Sequence, residues 1–132
     1  MTVMSYNLLD MTKEIIATIF ILISATASVY YALGGVTKPE TAIVYNKAGM
    51  SRLGIQVLSG FLGAGGLLLL FPQTFKFGAT FLITHSFITI ACFLVIKDWR
   101  GGFLEFTFLQ IPIFIFWAGH PSSILEKFKN LF

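Results

Sequence analysis

A single histidine interrupts one of the most apolar stretches of the sequence, FLITHSFITIACF (residues 81–93). An imidazole can transfer a proton near neutral pH, bind a metal, or form hydrogen bonds through either ring nitrogen. At 100° per residue, a helix would place Phe81, Thr89 and Cys92 on the same stripe as His85. We therefore expect this stripe to face other protein segments, since ionisable side chains within a membrane rarely face lipid.

The predicted neighbours of His85 leave two roles open. By helical depth, His85 is level with Ser24 and Pro112 on other segments. Pro112 has no N–H, so the carbonyl of Phe108 loses its helical partner and can accept a hydrogen bond from His85 or Ser24. This structural role is the simpler one. The alternative is a site for proton transfer or for a quinone, another lipid or a metal.

A ligand site of the quinone or lipid type would use four polar side chains. They are His85, Ser24, Gln56 and Thr89. A metal site has less support, because the chain has one cysteine, Cys92, and two histidines predicted about 9 Å apart in depth. We predict no metal site, no catalytic residues and no intrinsic cofactor, with quinone or lipid as the ligand to consider.

The elements that position these residues are predicted from composition. Only 11% of the residues are charged, against about 25% in soluble domains. Four long segments lack Asp, Glu, Lys and Arg, and about 20 apolar helical residues cross a hydrocarbon core of about 30 Å. The sequence thus predicts an all-α polytopic membrane protein, a four-transmembrane-helix bundle forming one domain over residues 1–132. The predicted spans are 15–33, 54–71, 77–96 and 103–118.

Short interfacial helices are predicted beside these spans. TKPE (37–40) and SILE (123–126) both fit the capping-box pattern of a helix start. The second opens an amphipathic tail, 122–132, with Lys127 and Lys129 beside an apolar stripe, which is typical of a helix on the membrane surface. Because the inner leaflet is anionic, these lysines favour cytoplasmic termini. The net charge of +3 is too small and scattered for nucleic-acid binding.

Small residues of the second span predict close helix packing. Ser59/Gly63 and Gly60/Ala64 are spaced as small-xxx-small pairs, which let two helix backbones approach closely. We expect this face to be buried against neighbouring helices of the same chain or in a homo-oligomer.

From Leu33 onward the chain resembles a known family. LGGVTKP ends the first span, LGAGGLLLLFPQTFKFGA covers the second and third, and KDWRGG precedes the fourth. Together these motifs resemble the DoxX-like family of small four-helix membrane proteins over about residues 13–118. The resemblance implies a four-helix membrane architecture. It also implies either an association with terminal quinol oxidases and with thiol or quinone redox chemistry, or a role as an assembly factor.

Two positions differ from the family pattern. Many members have an arginine entering the first span, where this chain has Lys13 and Glu14. Many also have a glutamate within the second span, where the polar residues here are Gln56 and Ser59.

The function predicted from these observations is that of an accessory, assembly or stabilising subunit of a membrane complex, not catalytic on its own. The alternative is a quinone- or lipid-binding subunit of an oxidoreductase complex. A transporter is the least favoured alternative, since one histidine without a buried acid offers few polar groups along which an ion or proton could cross the membrane. The expected partners are membrane lipids and other membrane-protein subunits or further copies of the chain. The expected location is the bacterial cytoplasmic (inner) membrane.

Overall fold

The computed structural model describes residues 2–119, and side chains from Leu8 onward; the predicted tail 122–132 and His120 lie outside this range. The described residues form helices and turns only. A short 3-10 turn, Pro39–Thr41, separates the first two of the five α-helices. The helices are α1 (Thr2–Thr37), α2 (Ile43–Lys47), α3 (Arg52–Leu68), α4 (Phe75–Val95) and α5 (Trp99–Ala118).

Three of these helices are long and apolar enough to cross a membrane: the Leu8–Thr37 part of α1, α4 and α5. They indicate an integral membrane protein, as predicted. With 36 residues, α1 is about 54 Å long and begins well before the predicted span. With 17 residues, α3 is about 25 Å long, and it ends three residues before the predicted limit at residue 71.

The early end of α3 has a local cause. Pro72 disfavours a helical conformation at the preceding residue, and it has no N–H to continue the helix. The chain then turns, and the Thr74 hydroxyl donates to the Leu68 carbonyl at 2.9 Å. That bond satisfies one of the carbonyls that a helix end leaves without a partner.

The four longer helices contact one another in sequence, α1 with α3, α3 with α4, α4 with α5, and α5 with α1. Near the turn between α3 and α4, an apolar core forms around Leu69 and Ile115. At the same end the rings of Phe20 and Phe114 pack edge to face, with their centroids 5.5 Å apart. The Lys13 ammonium lies 4.2 Å from the Trp117 ring centroid. These contacts join α1 to α5 at this end.

A seam of small residues joins α1 to α3. A Cβ atom on Gly63 or on Gly66 would lie 2.7 Å from a Cβ atom of α1, so the two helices pack at the distance that glycine permits. Glycine at these positions therefore sets the spacing of the helices. The pairs along the seam are Ser28 with Gly66, Ala32 with Gly63, and Gly35 with Ser59.

The outer surface of α3 carries the other two small residues predicted to pack. Gly60 and Ala64 are exposed, and a Cβ atom on Gly60 would meet nothing within 4 Å. The predicted packing face is therefore divided, because neighbouring helix positions point about 100° apart. Ser59 and Gly63 are buried within the chain, whereas Gly60 and Ala64 take no part in its internal packing.

The connection between α1 and α3 differs from the predicted capped helix. Thr37 ends α1, and its hydroxyl donates back to the Leu33 carbonyl at 2.6 Å instead of capping a new helix. The side-chain amide of Asn46 holds the connection together by donating to the Pro39 and Ala42 carbonyls at 3.0 and 2.9 Å. This folding places the short helix α2 against α4.

Candidate functional site

A cleft of about 1080 Å³ lies between α1, α4 and α5, beneath the connection that carries α2, and Ser59 and Leu62 of α3 also line it. Its apolar walls include Leu62, Leu82 and Ile111. The cleft also reaches Tyr30 and Tyr31, which are 72% and 66% exposed, so it opens to the outside of the protein. Its position follows from the contacts of α1 with α5, which hold the two helices together at the opposite end.

Three polar side chains form a connected group where the cleft meets α2. Tyr45 Oη lies 2.7 Å from Thr89 Oγ1 and 3.3 Å from His85 Nε2. Thr89 Oγ1 donates to the His85 backbone carbonyl at 2.9 Å. Because the threonine proton is used there, Tyr45 donates to Thr89, and His85 donates through Nε2 to Tyr45. This assignment leaves Nδ1 of a neutral His85 as an acceptor, 3.5 Å from Thr89 Oγ1.

A second polar pair lies in the same cleft. The Ser86 side chain lies near the Glu105 carboxyl group, and both residues line the cavity. Glu105 lies six residues inside α5 and Thr89 six residues from the end of α4, so both lie about 9 Å below the same edge. The acid therefore belongs to the polar end of the cleft.

The sequence-predicted ligand residues are only partly brought together. Ser24, His85 and Thr89 line the cleft, as does Pro112. Gln56 does not; its side-chain amide donates to the Val36 carbonyl at 3.0 Å and joins α3 to the end of α1. Whether any of these residues binds a ligand stays a prediction.

One of the two donors expected for the Phe108 carbonyl is excluded. The ring nitrogens of His85 face Tyr45 and Thr89, so the histidine is not the donor to the Phe108 carbonyl. Glu105 lies near Ser86 of α4.

Tyr45, Ser86 and Glu105 line the cleft but are not among the ligand residues predicted from the sequence. Tyr45 has the position of an interfacial aromatic anchor, and nothing in its sequence context points toward α4. Glu105 could have been found, because folding the chain back at the turn between α4 and α5 places it level with Thr89.

Burial raises the pKa of the Tyr45 phenol from 10.0 to about 12, and the charge of Glu105 adds to that effect, whereas the bond to Thr89 opposes it. We expect an ultraviolet phenolate titration to show one tyrosine ionising near pH 12 and Tyr45→Phe to remove that component. Since the folded-state pKa is raised, the stabilisation is complete below about pH 10 and is lost as the pH rises toward 12. If the component that Tyr45→Phe removes ionised near pH 10 instead, this assignment would be contradicted.

The chemistry available at the cleft is that of binding. Apolar walls exclude water from a long hydrocarbon group, while hydroxyl, imidazole and carboxyl groups at one end can orient a polar head group. Among residues 2–119, no group of three or more His, Cys, Asp or Glu side chains is arranged to hold a metal ion. No protein-family model, curated protein or solved structure matches the chain.

Proposed function

We propose that this integral membrane protein binds a lipophilic ligand with a hydrogen-bonding head group, of the quinone or lipid class, in the cleft between α1, α4 and α5. One observation carries the proposal, namely the apolar cleft of about 1080 Å³ with the connected group of Tyr45, His85 and Thr89 at the end near α2. Pockets for small molecules are typically apolar cavities with a few convergent polar groups. The head group would lie near His85 and Glu105, and the tail along Leu82 and Ile111.

Access from the bilayer supports this proposal. The Phe20–Phe114 and Lys13–Trp117 contacts lie at one end of α1 and α5, whereas the cleft lies further toward α2. Tyr30 and Tyr31 stand exposed at the cleft, and tyrosines are enriched at the membrane interface. A lipophilic molecule can therefore enter sideways, without first leaving the membrane.

The membrane arrangement that suits this function has α3 as a fourth span. At about 25 Å, α3 is a little shorter than the hydrocarbon core, and local thinning of the bilayer can accommodate the difference. Its contacts with α1 and α4 would make it part of a DoxX-like four-helix bundle. We place this bundle in the bacterial inner membrane with cytoplasmic termini.

A role as an accessory, assembly or stabilising subunit is compatible with ligand binding. The exposed face of α3 at Gly60 and Ala64 favours it, because small residues without an internal partner allow a second helix to approach closely. In that arrangement a partner subunit would supply any electron-transfer cofactor. Co-purification of stoichiometric partner chains in mild detergent would support this role, and a monomer without partners would contradict it.

Filling the cleft tests the proposed function. Ala27 lines the cleft, whereas its neighbour Thr26 is exposed and does not. In nanodiscs we expect Ala27→Phe to weaken binding of decyl-benzoquinone, or of whichever lipid co-purifies with the protein, by about tenfold or more. Thr26→Phe is the matched control and should bind as the native chain does. Equal binding by both variants would overturn the proposal.

A further inference from the structure

Glu105 is an acid placed within a membrane-spanning helix, and this placement has a cost. Carboxylates at membrane depth are expensive unless a cation or several hydrogen bonds compensate them. Within the described part of the chain no cation forms an ion pair with Glu105, and the Ser86 hydroxyl is the polar group near its carboxyl. Lys38, the other charged residue lining the cleft, contributes no interaction with Glu105.

The surroundings of Glu105 suit a positive group. A serine hydroxyl can donate one proton, so even a hydrogen bond from Ser86 would leave most lone pairs of the carboxylate free to accept others. Phe108, one helical turn further along α5, also lines the cleft, and an aromatic face attracts an ammonium group. The acid and the ring therefore offer two kinds of contact that a cation would use.

We infer that the ligand of the cleft is an amphiphile whose ammonium head group pairs with the Glu105 carboxylate and whose tail lies along the apolar walls. This inference rests on the proposed function. The same chemistry has two sources in a membrane, an ethanolamine phospholipid and a free long-chain amine. A quinone, which carries no positive charge, would not use this contact.

The test compares two probes that differ only in the head group, dodecylammonium and dodecanol, in nanodiscs of digalactosyl diacylglycerol, a lipid without an ammonium group. We expect the native protein to bind the ammonium probe about tenfold more tightly, since hydrogen bonds to charged groups are about twice as strong as neutral ones. Glu105→Gln should reduce this preference to about twofold or less and leave dodecanol affinity unchanged. Glu40→Gln, at an exposed residue outside the cleft, should retain the full preference.

The outcomes separate this inference from the proposed function. If the native protein binds both probes equally, or if Glu105→Gln retains the preference, the inference is wrong while the cleft can still be a lipid site. If Ala27→Phe leaves the binding of both probes unchanged, the proposed function fails as well. Adding ethanolamine phospholipid to the nanodiscs distinguishes the sources, because competition with dodecylammonium indicates a bulk lipid, and its absence a free amine.

Discussion

Replacing Gly78 by alanine is expected to destabilise the protein by about 1–3 kcal/mol, the usual cost of forcing atoms into a packed site. A Cβ atom at this position would lie 2.6 Å from the Gly65 carbonyl oxygen and 2.7 Å from the Leu69 backbone nitrogen. Both neighbours are backbone atoms, so no side chain can rotate away. The clash can be relieved only by separating α3 from α4, which also disturbs the core around Leu69.

Gly60→Ala is the matched control for this substitution. Gly60 is also a helical glycine, but a Cβ atom there meets nothing within 4 Å, and alanine should stabilise the helix by about 0.5–1 kcal/mol. Thermal unfolding in mild detergent should therefore give a lower Tm for Gly78→Ala and an equal or higher Tm for Gly60→Ala. If both variants melted at the same temperature, the close crossing of α3 and α4 would be incorrect.

The helices were largely predictable, because long apolar segments with few charges have little alternative to helix in a membrane. The limits of α1 were not. The prediction began at Ile15 because Lys13 and Glu14 precede it, yet no glycine or proline stops the helix there and it continues from Thr2. Charge limits the part of a helix that can lie in lipid, but it does not end the helix itself.

The candidate site was predictable only where its residues share one helix. The stripe that contains His85 and Thr89 follows from helical periodicity, and the structure places both residues in the cleft. Tyr45 is 40 residues from His85 in sequence and reaches it because Asn46 folds the connection back onto itself. A contact of this kind depends on the path of an irregular segment, for which the sequence has no periodic signal.

The group formed by His85, Tyr45 and Thr89 gives the second prediction. Tyr45→Phe removes the acceptor of the His85 Nε2 proton and the donor to Thr89 Oγ1. A buried donor left without an acceptor costs about 1–3 kcal/mol, so we expect a clear fall in the Tm measured in detergent. Tyr30→Phe is the matched control and should leave the Tm unchanged, because Tyr30 is 72% exposed.

His85→Leu completes a double-mutant cycle with Tyr45→Phe. Alone, the leucine removes one hydrogen bond of Tyr45, which still donates to Thr89. The double variant has neither the imidazole nor the phenol hydroxyl, so neither group can be buried without a hydrogen-bond partner. The combined loss should therefore be smaller than the sum of the single losses, by about 0.5 kcal/mol or more. Additive losses would show that the two side chains do not interact. If His85→Leu kept full stability but lost ligand binding, the imidazole would belong to the ligand site and not to the scaffold that holds α2 against α4.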